Sequence, residues 1–456
     1  MAVATAQRRW TIGALGIGVL CVSQFVDVLS VNTAVIALPD IRSDLGMSAG
    51  AGQWVISIYA LLFGSLLLFA GRLADRIGHR RLFAIGLGAF GVGSALCGLS
   101  QSGAMLVAAR AATGAAAALT VPAALALLVS GTDEERRHRA LAWWTAAGAA
   151  GTIVGLAVGG VLAGLAGWRA AFAVPAAAAG GCLLLIGTID SPPRTAEGRP
   201  LDVGGALAAM AGLALALAAL SGIAAGGAGA ATWAAAVGAV VVLATFRAIE
   251  RRARWPLLPR AALANRTLMA GTLASAVNTA ATSPLAVLGA VYLQDVRGWS
   301  AAANGLSFVP FGLMVIAGSA LGAVLVGRVG AARTLSGALA LLVAMPLAAC
   351  AITADSGEAV LLCAWALDGL GLGCAAVVAT TLGTSASAEG DRGFAAGLIN
   401  TATQLGTAVS IALLVPLAAE VADDPVVGLR VAFVVTAGIA ALGGASVLAL
   451  LRRRDG

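Results

Sequence analysis

Three ionisable side chains stand deep inside long apolar stretches of the chain: Asp27, Arg110 and Asp368. A charge at the centre of a membrane-spanning helix costs about 2.5–3.5 kcal/mol on the insertion scale, so each should face a cavity and find a partner. An acid that is ionised in one state and neutral in another can couple proton movement to a conformational change. We therefore predict proton coupling at these residues. The alternative is a buried neutralising pair that only fixes packing.

Residues that could hold a metal or perform catalysis are sparse. The six cysteines show no metal-ligand spacing and lie mostly in apolar runs, so we interpret them as small buried hydrophobic residues. The only two histidines, His79 and His138, lie in basic loops. We therefore expect no metal and no cofactor. No catalytic cluster or long soluble loop is present in the sequence, so an enzyme is not expected.

The composition indicates that lipid is the solvent for most of the chain. Of 456 residues, 60% are hydrophobic and 11% are charged, against about 25% charged in ordinary soluble proteins. A soluble domain could not hide this much apolar surface, which excludes a soluble enzyme, a disordered chain and a secreted disulfide scaffold. The net charge of +7 could suggest nucleic acid. However, the arginines fall in short gaps between apolar runs, so no nucleic-acid partner is expected.

About fourteen apolar stretches are long enough, or nearly so, to cross ~30 Å of hydrocarbon as helices. They cover residues 11–38, 50–70, 82–99, 103–130, 140–165, 168–189, 203–222, 231–246, 268–293, 301–326, 334–353, 358–384, 393–419 and 430–451. The sequence thus predicts an all-α polytopic membrane protein.

The basic residues predict the orientation of these spans. All 28 are arginines, a usage that, with the abundant Ala and Gly, is typical of a GC-rich genome and favours a bacterial source. If the N-terminus is inside, 23 fall in inside segments, Arg110 lies within a span, and four fall outside: Arg42, Arg169, Arg297 and Arg430. This bias predicts a multi-pass protein of the cell membrane, inner or plasma, with both termini in the cytoplasm.

An internal repeat predicts the domain organisation. Residues 48–81 and 300–333 share polar spacing, since each begins with Ser and ends on Arg-x-Gly-x-x-Arg. The repeat predicts two homologous six-helix bundles with a site between them near the membrane midplane. The expected boundaries are 1–190 for the first bundle, 200–247 for an inserted helix pair and 268–451 for the second bundle.

The loop at 71–81 reads Gly-Arg-Leu-Ala-Asp-Arg-Ile-Gly-His-Arg-Arg and must turn sharply between two helices. Gly71 permits a close approach and Gly78 can take a positive φ, while Asp75 can pair with arginines or cap a helix. Basic charge alone would indicate only a cytoplasmic loop. The full spacing, however, resembles the loop signature of the major facilitator superfamily. The resemblance implies a charge network that latches the cytoplasmic ends of the bundles, built from Gly71, Asp75, Arg76, Gly78, Arg80 and Arg81.

Other segments resemble the fourteen-helix drug:proton antiporter branch of that superfamily. They are Gln24–Ser30 with Ala37–Ile41, Arg110–Gly114, Gly167–Phe172 with Pro175, Pro256–Thr267 and Gly397–Gly406. The inserted helix pair is itself diagnostic of this branch. In the branch the acid of the first helix lies close to the arginine of the fourth, so the resemblance implies that Asp27 and Arg110 form a pair.

Two departures from the branch pattern bear on this expectation. The branch has an acid nine residues before the Leu-Pro proline, where this chain has Ser30. Asp27 lies three residues earlier, on roughly the same helix face. In the fifth helix Leu156 replaces the proline of the antiporter motif. The small residues for close packing are kept there: Gly148, Gly151, Gly155, Gly159 and Gly160.

Polar and aromatic residues within the spans are predicted to line a substrate cavity. They are Ser30, Asn32, Gln53, Tyr59, Asn278, Phe308, Asn400 and Gln404. For the aromatic residues, packing or interface anchoring is the alternative.

Taken with the resemblance, the sequence predicts a major facilitator fold in the lipid bilayer. The family implies alternating access and proton antiport, and the branch implies export of a small amphipathic drug or antibiotic by a protein that works as a monomer. One alternative is a transporter of the same fold for a metabolite, such as an amino acid or siderophore. A polytopic membrane enzyme or receptor is the other.

Overall fold

The computed structural model describes residues 12–132, 134–190, 202–227, 229–253, 256–352, 358–386, 392–422 and 424–452. This part of the chain is helical throughout, joined by short turns and without a strand. Thirteen of its helices are long and apolar enough to cross a membrane, and one shorter apolar helix covers Trp168–Leu184. The all-α polytopic membrane fold is therefore confirmed.

Eighteen α-helices follow one another in the described residues. They are α1 Ala14–Ile36, α2 Leu38–Asp44, α3 Ala49–Gly52, α4 Trp54–Ile77, α5 His79–Gly98, α6 Gly103–Ser130, α7 Glu134–Ala166, α8 Trp168–Leu184, α9 Val203–Ala224, α10 Ala230–Arg252, α11 Arg260–Ala264, α12 Arg266–Val291, α13 Ala301–Ser307, α14 Val309–Val329, α15 Ala331–Ala349, α16 Ala359–Ser385, α17 Arg392–Glu420 and α18 Pro425–Arg452. A 3₁₀ turn at Ile186–Thr188 follows α8, and a π-turn at Tyr292–Val296 follows α12.

Helix boundaries differ from the sequence prediction where local chemistry starts or stops a helix. The first predicted span, 11–38, breaks at Ala37 because Pro39 occupies the first turn of α2 and restricts the backbone before it. The sixth span was expected to reach residue 189, but α8 ends at Leu184 and gives way to a 3₁₀ turn. The predicted fifth span begins at residue 140, whereas α7 begins at Glu134 and so includes the basic residues before the apolar stretch.

The helices pack in two groups. In the first, α1 and α4 to α8 contact one another, and in the second, α12 and α14 to α18 do so. The groups meet along two seams, one where α7 packs on α13 and α14, the other where α4 packs on α17. Helix α9 lies against both α4 and α17, so that Leu217 of α9 is buried with Leu61 of α4 and Ala412 of α17.

The internal repeat is visible as matching backbone features at matching positions. Ser48 and Ser300 each cap a short helix, accepting the backbone N–H three residues later at 3.2 Å. Thirty residues after each serine, Gly78 and Gly330 adopt φ of 95° and 87° between two long helices. These are conformations that favour glycine, as the sequence predicts for Gly78.

One end of the molecule joins the two groups by direct contacts. At the seam, Gly160 of α7 and Gly305 of α13 approach so closely that a Cβ on either would overlap the backbone opposite. Nearby, Gln294 Nε2 donates to the Ile36 carbonyl at 2.9 Å, and Arg42 lies 3.6 Å from the Asp295 carboxylate. We call this the Gly160 end.

Candidate functional site

Three helices of the first group bring Asp27, Tyr59 and Arg110 together in the protein interior. Asp27 on α1 is 6% exposed, Tyr59 on α4 is 1% exposed, and Arg110 on α6 is 0% exposed. The Tyr59 hydroxyl donates a hydrogen bond to Asp27 Oδ1. The Arg110 guanidinium carbon lies 4.3 Å from the centre of the Tyr59 ring, a cation–π contact. Tyr59 therefore stands between the acid and the base.

Arg110 donates its hydrogen bonds to residues other than Asp27. Its Nε donates to the Val55 carbonyl at 3.0 Å, and its Nη1 donates to Ser30 Oγ at 3.3 Å. Its Nη2 is buried without a hydrogen-bond partner. No ion pair joins Asp27 to Arg110, both of which the structure describes. Asp27 and Arg110 contact the same tyrosine, while Ser30, one turn after Asp27 on α1, bonds to Arg110. The pairing of Asp27 with Arg110 in proton coupling stays a prediction.

A glycine one turn after Arg110 explains how α6 comes so close to α4. A Cβ at Gly114 would lie 2.5 Å from the Tyr59 carbonyl oxygen, a distance that real Cβ atoms do not reach. Only glycine allows this approach, and the approach brings the Val55 carbonyl within reach of Arg110. The Arg-x-x-x-Gly spacing of residues 110–114 is thus a packing requirement for the site.

The glycines of α7 line the opposite side of α1. Gly148 faces Gln24, while a Cβ at Gly151 would meet the Phe25 carbonyl at 2.6 Å and one at Gly155 the Leu29 carbonyl at 2.8 Å. One turn further on, Gly159 faces Thr33. These contacts hold the segment of α1 that carries Asp27 and Ser30 flush against α7. The fifth glycine, Gly160, faces α13 instead.

Leu156 lies within this helix at the position where the antiporter motif has proline. Helix α7 runs without interruption from Glu134 to Ala166. The Leu156 side chain is buried in the core that the two helix groups share.

The loop motif forms the junction of α4 and α5. Gly71 lies within α4, Gly78 makes the turn, and Arg76 is in the last turn of α4. Arg80 and Arg81 begin α5. The side chain of Asp75 lies outside the described part of the structure, so its place in a latch stays a prediction. The neighbouring Arg72 donates a hydrogen bond to the Pro256 carbonyl of the segment after α10.

The eight predicted cavity residues divide by exposure. Five are buried in helix contacts: Ser30, Gln53, Tyr59, Asn278 and Phe308. The other three are partly exposed: Asn32, Asn400 and Gln404. Gln53 bonds to Ser57 at 2.8 Å and to Ser221 of α9 at 3.2 Å, which ties the inserted pair to the first group. The sequence carried no signal for the Ser221 contact.

A second cluster missed by sequence reasoning lies at the Gly160 end. Asp44 accepts Arg169 Nη1 at 2.5 Å and Trp168 Nε1 at 3.1 Å, and Arg169 Nη2 donates to the Ser100 carbonyl at 3.0 Å. The hydrogen bond from Arg169 holds the pKa of Asp44 below its ordinary value. This cluster borders a cavity of about 530 Å³ that Asp40 also lines. Trp168 and Arg169 stood out in the sequence, but their partner Asp44 did not.

Asp368 lies apart from Asp27, on α16 of the second helix group. It is 1% exposed, and neither of its carboxylate oxygens has a hydrogen-bond partner.

Comparison with known proteins identifies the family. The model of the Major Facilitator Superfamily matches residues 20–411. The chain belongs to this superfamily. It is 32% identical to puromycin resistance protein pur8 of Streptomyces alboniger over 89% of this chain and 81% of that protein. It is 35% identical to cephamycin export protein CmcT of Amycolatopsis lactamdurans over 86% and 82%.

A solved structure of the same fold supports the assignment. The crystal structure of the peptide transporter POT in complex with sulfate matches at a TM-score of 0.74, covering 98% of this chain and 97% of that one at 18% identity. Such a distant likeness shows the fold alone. As a member of the Major Facilitator Superfamily, the protein is a multi-pass membrane transporter and not an enzyme.

Proposed function

We propose that this transporter exports small amphipathic antibiotics or drugs by proton antiport and belongs to the fourteen-helix branch of its superfamily. The observation that carries the proposal is the buried Asp27–Tyr59–Arg110 cluster, an acid linked through a tyrosine to a base inside the membrane. The names of the relatives, a resistance protein and an export protein, support the substrate class. We also propose that it works as a monomer and binds no nucleic acid.

The cluster suggests how a proton could change the helix packing. Ionised Asp27 accepts the Tyr59 hydroxyl and balances the charge of Arg110. Protonation of Asp27 removes that negative charge and weakens its acceptor. Arg110 is then a buried cation with one unpartnered Nη2 and no balancing acid. A rearrangement of α1 against α4 and α6 that gives Arg110 a new partner becomes favourable, and this is the coupling that we propose.

The contacts between the helix groups suggest the alternating-access state. We propose that the Gly160 end is extracellular and closed here, with both termini cytoplasmic, as the arginine distribution predicts. Residues 1–190 and 268–451 would move as two bundles, with 200–247 as the inserted pair. The cytoplasmic latch is proposed to use the 71–81 loop. The substrate is proposed to contact three partly exposed residues, Asn32, Asn400 and Gln404.

Transport in proteoliposomes with an imposed pH gradient tests the proposal. Asp27→Asn should abolish proton-driven transport while substrate binding largely persists, because the variant keeps the shape but cannot be ionised. Asp40→Asn is the matched control, since Asp40 is half-buried but lies in α2, outside the spans. If Asp27→Asn still responds fully to the gradient, Asp27 is structural and Asp368 becomes the leading coupling residue.

A second variant keeps the test informative. Ser30→Asp in the Asp27→Asn background returns an acid to α1, next to Arg110 Nη1, which already lies 3.3 Å from Ser30 Oγ. It should partly restore proton-driven transport. If this variant stays folded but does not restore transport, an acid at position 30 cannot replace Asp27 as the coupling group.

A metabolite transporter of the same fold is the second candidate, because α7 lacks the proline of the antiporter motif and runs uninterrupted past Leu156. Resistance profiling of a host that expresses the protein separates the two functions. Export of drugs predicts raised resistance to a set of dyes or antibiotics, whereas metabolite transport predicts no change in resistance.

A further inference from the structure

A short segment bounded by prolines follows α10 and leads to the second helix group. Residues 256–259 read Pro-Leu-Leu-Pro, and we call them the linker segment. The two prolines have no backbone N–H, so Leu257 and Leu258 supply the only backbone donors of the segment. Both donate to the Glu250 carboxylate of α10, at 2.9 Å to Oε1 and at 3.0 Å to Oε2. The proline rings and this two-oxygen contact leave the linker segment little conformational freedom.

The linker segment is fixed to the second helix group by packing and by the chain that follows it. Leu258 packs against a hydrophobic cluster that includes Leu268 of α12 and Leu398 of α17. Further along, Asn265 accepts the Leu268 N–H at 3.1 Å and donates to the Ala386 carbonyl at 2.8 Å. The linker segment is therefore expected to move with the second group.

The first helix group contacts the same segment through an arginine. Arg72 of α4 donates a hydrogen bond to the Pro256 carbonyl. This arginine lies in the 71–81 loop, but the family resemblance assigns no role to it. Gly52, just before α4, lies against the Arg42 side chain of the Gly160 end, and Arg72 lies about 27 Å from the start of α4. The bond from Arg72 thus joins the two groups at the end of the molecule opposite to the Gly160 end.

A close contact between α4 and α17 lies between these two ends. A Cβ at Gly64 would be 2.9 Å from the Gln404 Cβ and 3.2 Å from the Thr401 carbonyl oxygen. Rocking of the two groups about such a contact moves their two ends in opposite directions. Opening of the Gly160 end therefore displaces Arg72 from the linker segment. Because the segment is stiff and packed on the second group, it cannot follow, and the hydrogen bond is lost.

We propose that the linker segment stabilises the state in which the Gly160 end is closed. Arg72 bonds to the segment from the first group, and hydrophobic packing fixes the segment to the second group. Glu250 of α10 holds its backbone in the position that Arg72 requires. The inserted helix pair thereby biases the conformational equilibrium of the transporter. The inference rests on the alternating access proposed above, but it depends neither on proton coupling nor on the substrate.

Distances across the Gly160 end test this role in the purified full-length protein in lipid nanodiscs. Spin labels on Gln101→Cys and Ala359→Cys, in a background without other reactive cysteines, report the distance between the groups by double electron–electron resonance. Both positions are exposed. They are next in the chain to residues that bond to Arg169 and Arg297 at this end. A closed end gives a short distance and an open end a longer one.

Loss of either contact of the linker segment should favour the open end. Arg72→Ala and Glu250→Gln should each raise the ratio of long to short distances by about tenfold, as expected for a hydrogen bond to a charged group. Because both substitutions act on one contact, the double variant should show no more than the larger single effect. Arg247→Ala is the matched control, since Arg247 is an exposed arginine on the same helix as Glu250. It should keep the wild-type distances.

Three outcomes overturn the role of the linker segment. The first is a wild-type distance distribution in either variant, Arg72→Ala or Glu250→Gln, when its Tm shows that it is folded. The second is full additivity of the two substitutions, which would place them in separate contacts. The third is an equal shift in Arg247→Ala, which would mean that lost positive charge alone changes the equilibrium.

A further variant separates these outcomes from a failure of alternating access. Gly160→Leu should show the long distance, because even a Cβ at Gly160 would lie 2.3 Å from the Ala301 carbonyl oxygen. A long distance there, but not in the linker variants, would overturn the role of the linker segment alone. If Gly160→Leu stays folded and keeps the short distance, alternating access at this end is wrong, and the role of the linker segment fails with it.

Discussion

At the scale of single residues, Tyr59 joins the proposed coupling residues Asp27 and Arg110. Its hydroxyl bonds to the acid and its ring covers the base. The two functions belong to different parts of one side chain, so substitutions can separate them. The four arginines predicted to lie on the outer side of the spans also have partners. Three lie against carboxylates, and Arg430 donates to the Ile352 carbonyl.

The Tyr59→Phe substitution should slow proton-driven transport by about tenfold. It removes a hydrogen bond to a charged group, worth roughly 1.5–3 kcal/mol, but keeps the ring over Arg110. Tyr59→Leu, which removes both contacts, should be more severe. Transport rates in proteoliposomes under a pH gradient check this. Tyr292→Phe changes the chain's other tyrosine, which is also buried, and should keep the wild-type rate. A Tyr59→Phe rate equal to wild type would show that the hydroxyl has no part in coupling.

At the scale of elements, close approach of helix backbones positions the site. Helix α6 reaches α4 at Gly114, and α7 reaches α1 at Gly151 and Gly155. Within a membrane such contacts replace the hydrophobic effect as the source of helix association. Glycines, which have no side chain, therefore set the positions of the side chains in the Asp27–Tyr59–Arg110 cluster.

Substitution of the α7 glycines measures this packing directly. Gly155→Ala should destabilise the protein by about 1–3 kcal/mol, because its Cβ would lie 2.8 Å from the Leu29 carbonyl. Gly164→Ala on the same helix is the control, since its Cβ would meet Ala302 at an ordinary 3.6 Å. That change should be neutral or stabilising, as alanine favours the helix by ~1 kcal/mol. Thermal unfolding in detergent compares them, and equal Tm values for the two variants would contradict the packing argument.

At the scale of the whole molecule, the inserted pair α9 and α10 lies beside the seam between α4 and α17. The number of times that this pair crosses the membrane decides on which side the second helix group begins. If the pair crosses twice, the second helix group has the same orientation as the first. The arginines around residues 247–266 then fall inside.

Single cysteines at the two ends of α10 test that crossing. In a background that lacks reactive native cysteines, Gly229→Cys should react with an impermeant maleimide only from outside the cell. Ala253→Cys should react only from the cytoplasmic side. Both positions are at helix ends, and a Cβ at Gly229 would have no neighbour within 4 Å. Reaction of both cysteines from the same side would show that α10 does not cross the membrane, which would contradict the inserted pair of spans.

Sequence alone determined the lipid-facing class, the fourteen apolar segments, the repeat and the family signature. These depend on composition, on apolar length and on residues close together in the chain, such as Gly78 and its loop. Sequence also singled out Asp27, Arg110 and Asp368, because an ionisable residue in an apolar run stands out locally. Only the tertiary structure decided their partners. Tyr59 was selected as a cavity residue, yet its place between Asp27 and Arg110 depends on how three helices rotate and approach one another. The hydrogen bonds of Asn278 to the Leu372 carbonyl and of Trp365 to the Leu285 carbonyl likewise follow from the antiparallel register of α12 and α16, which no local pattern encodes.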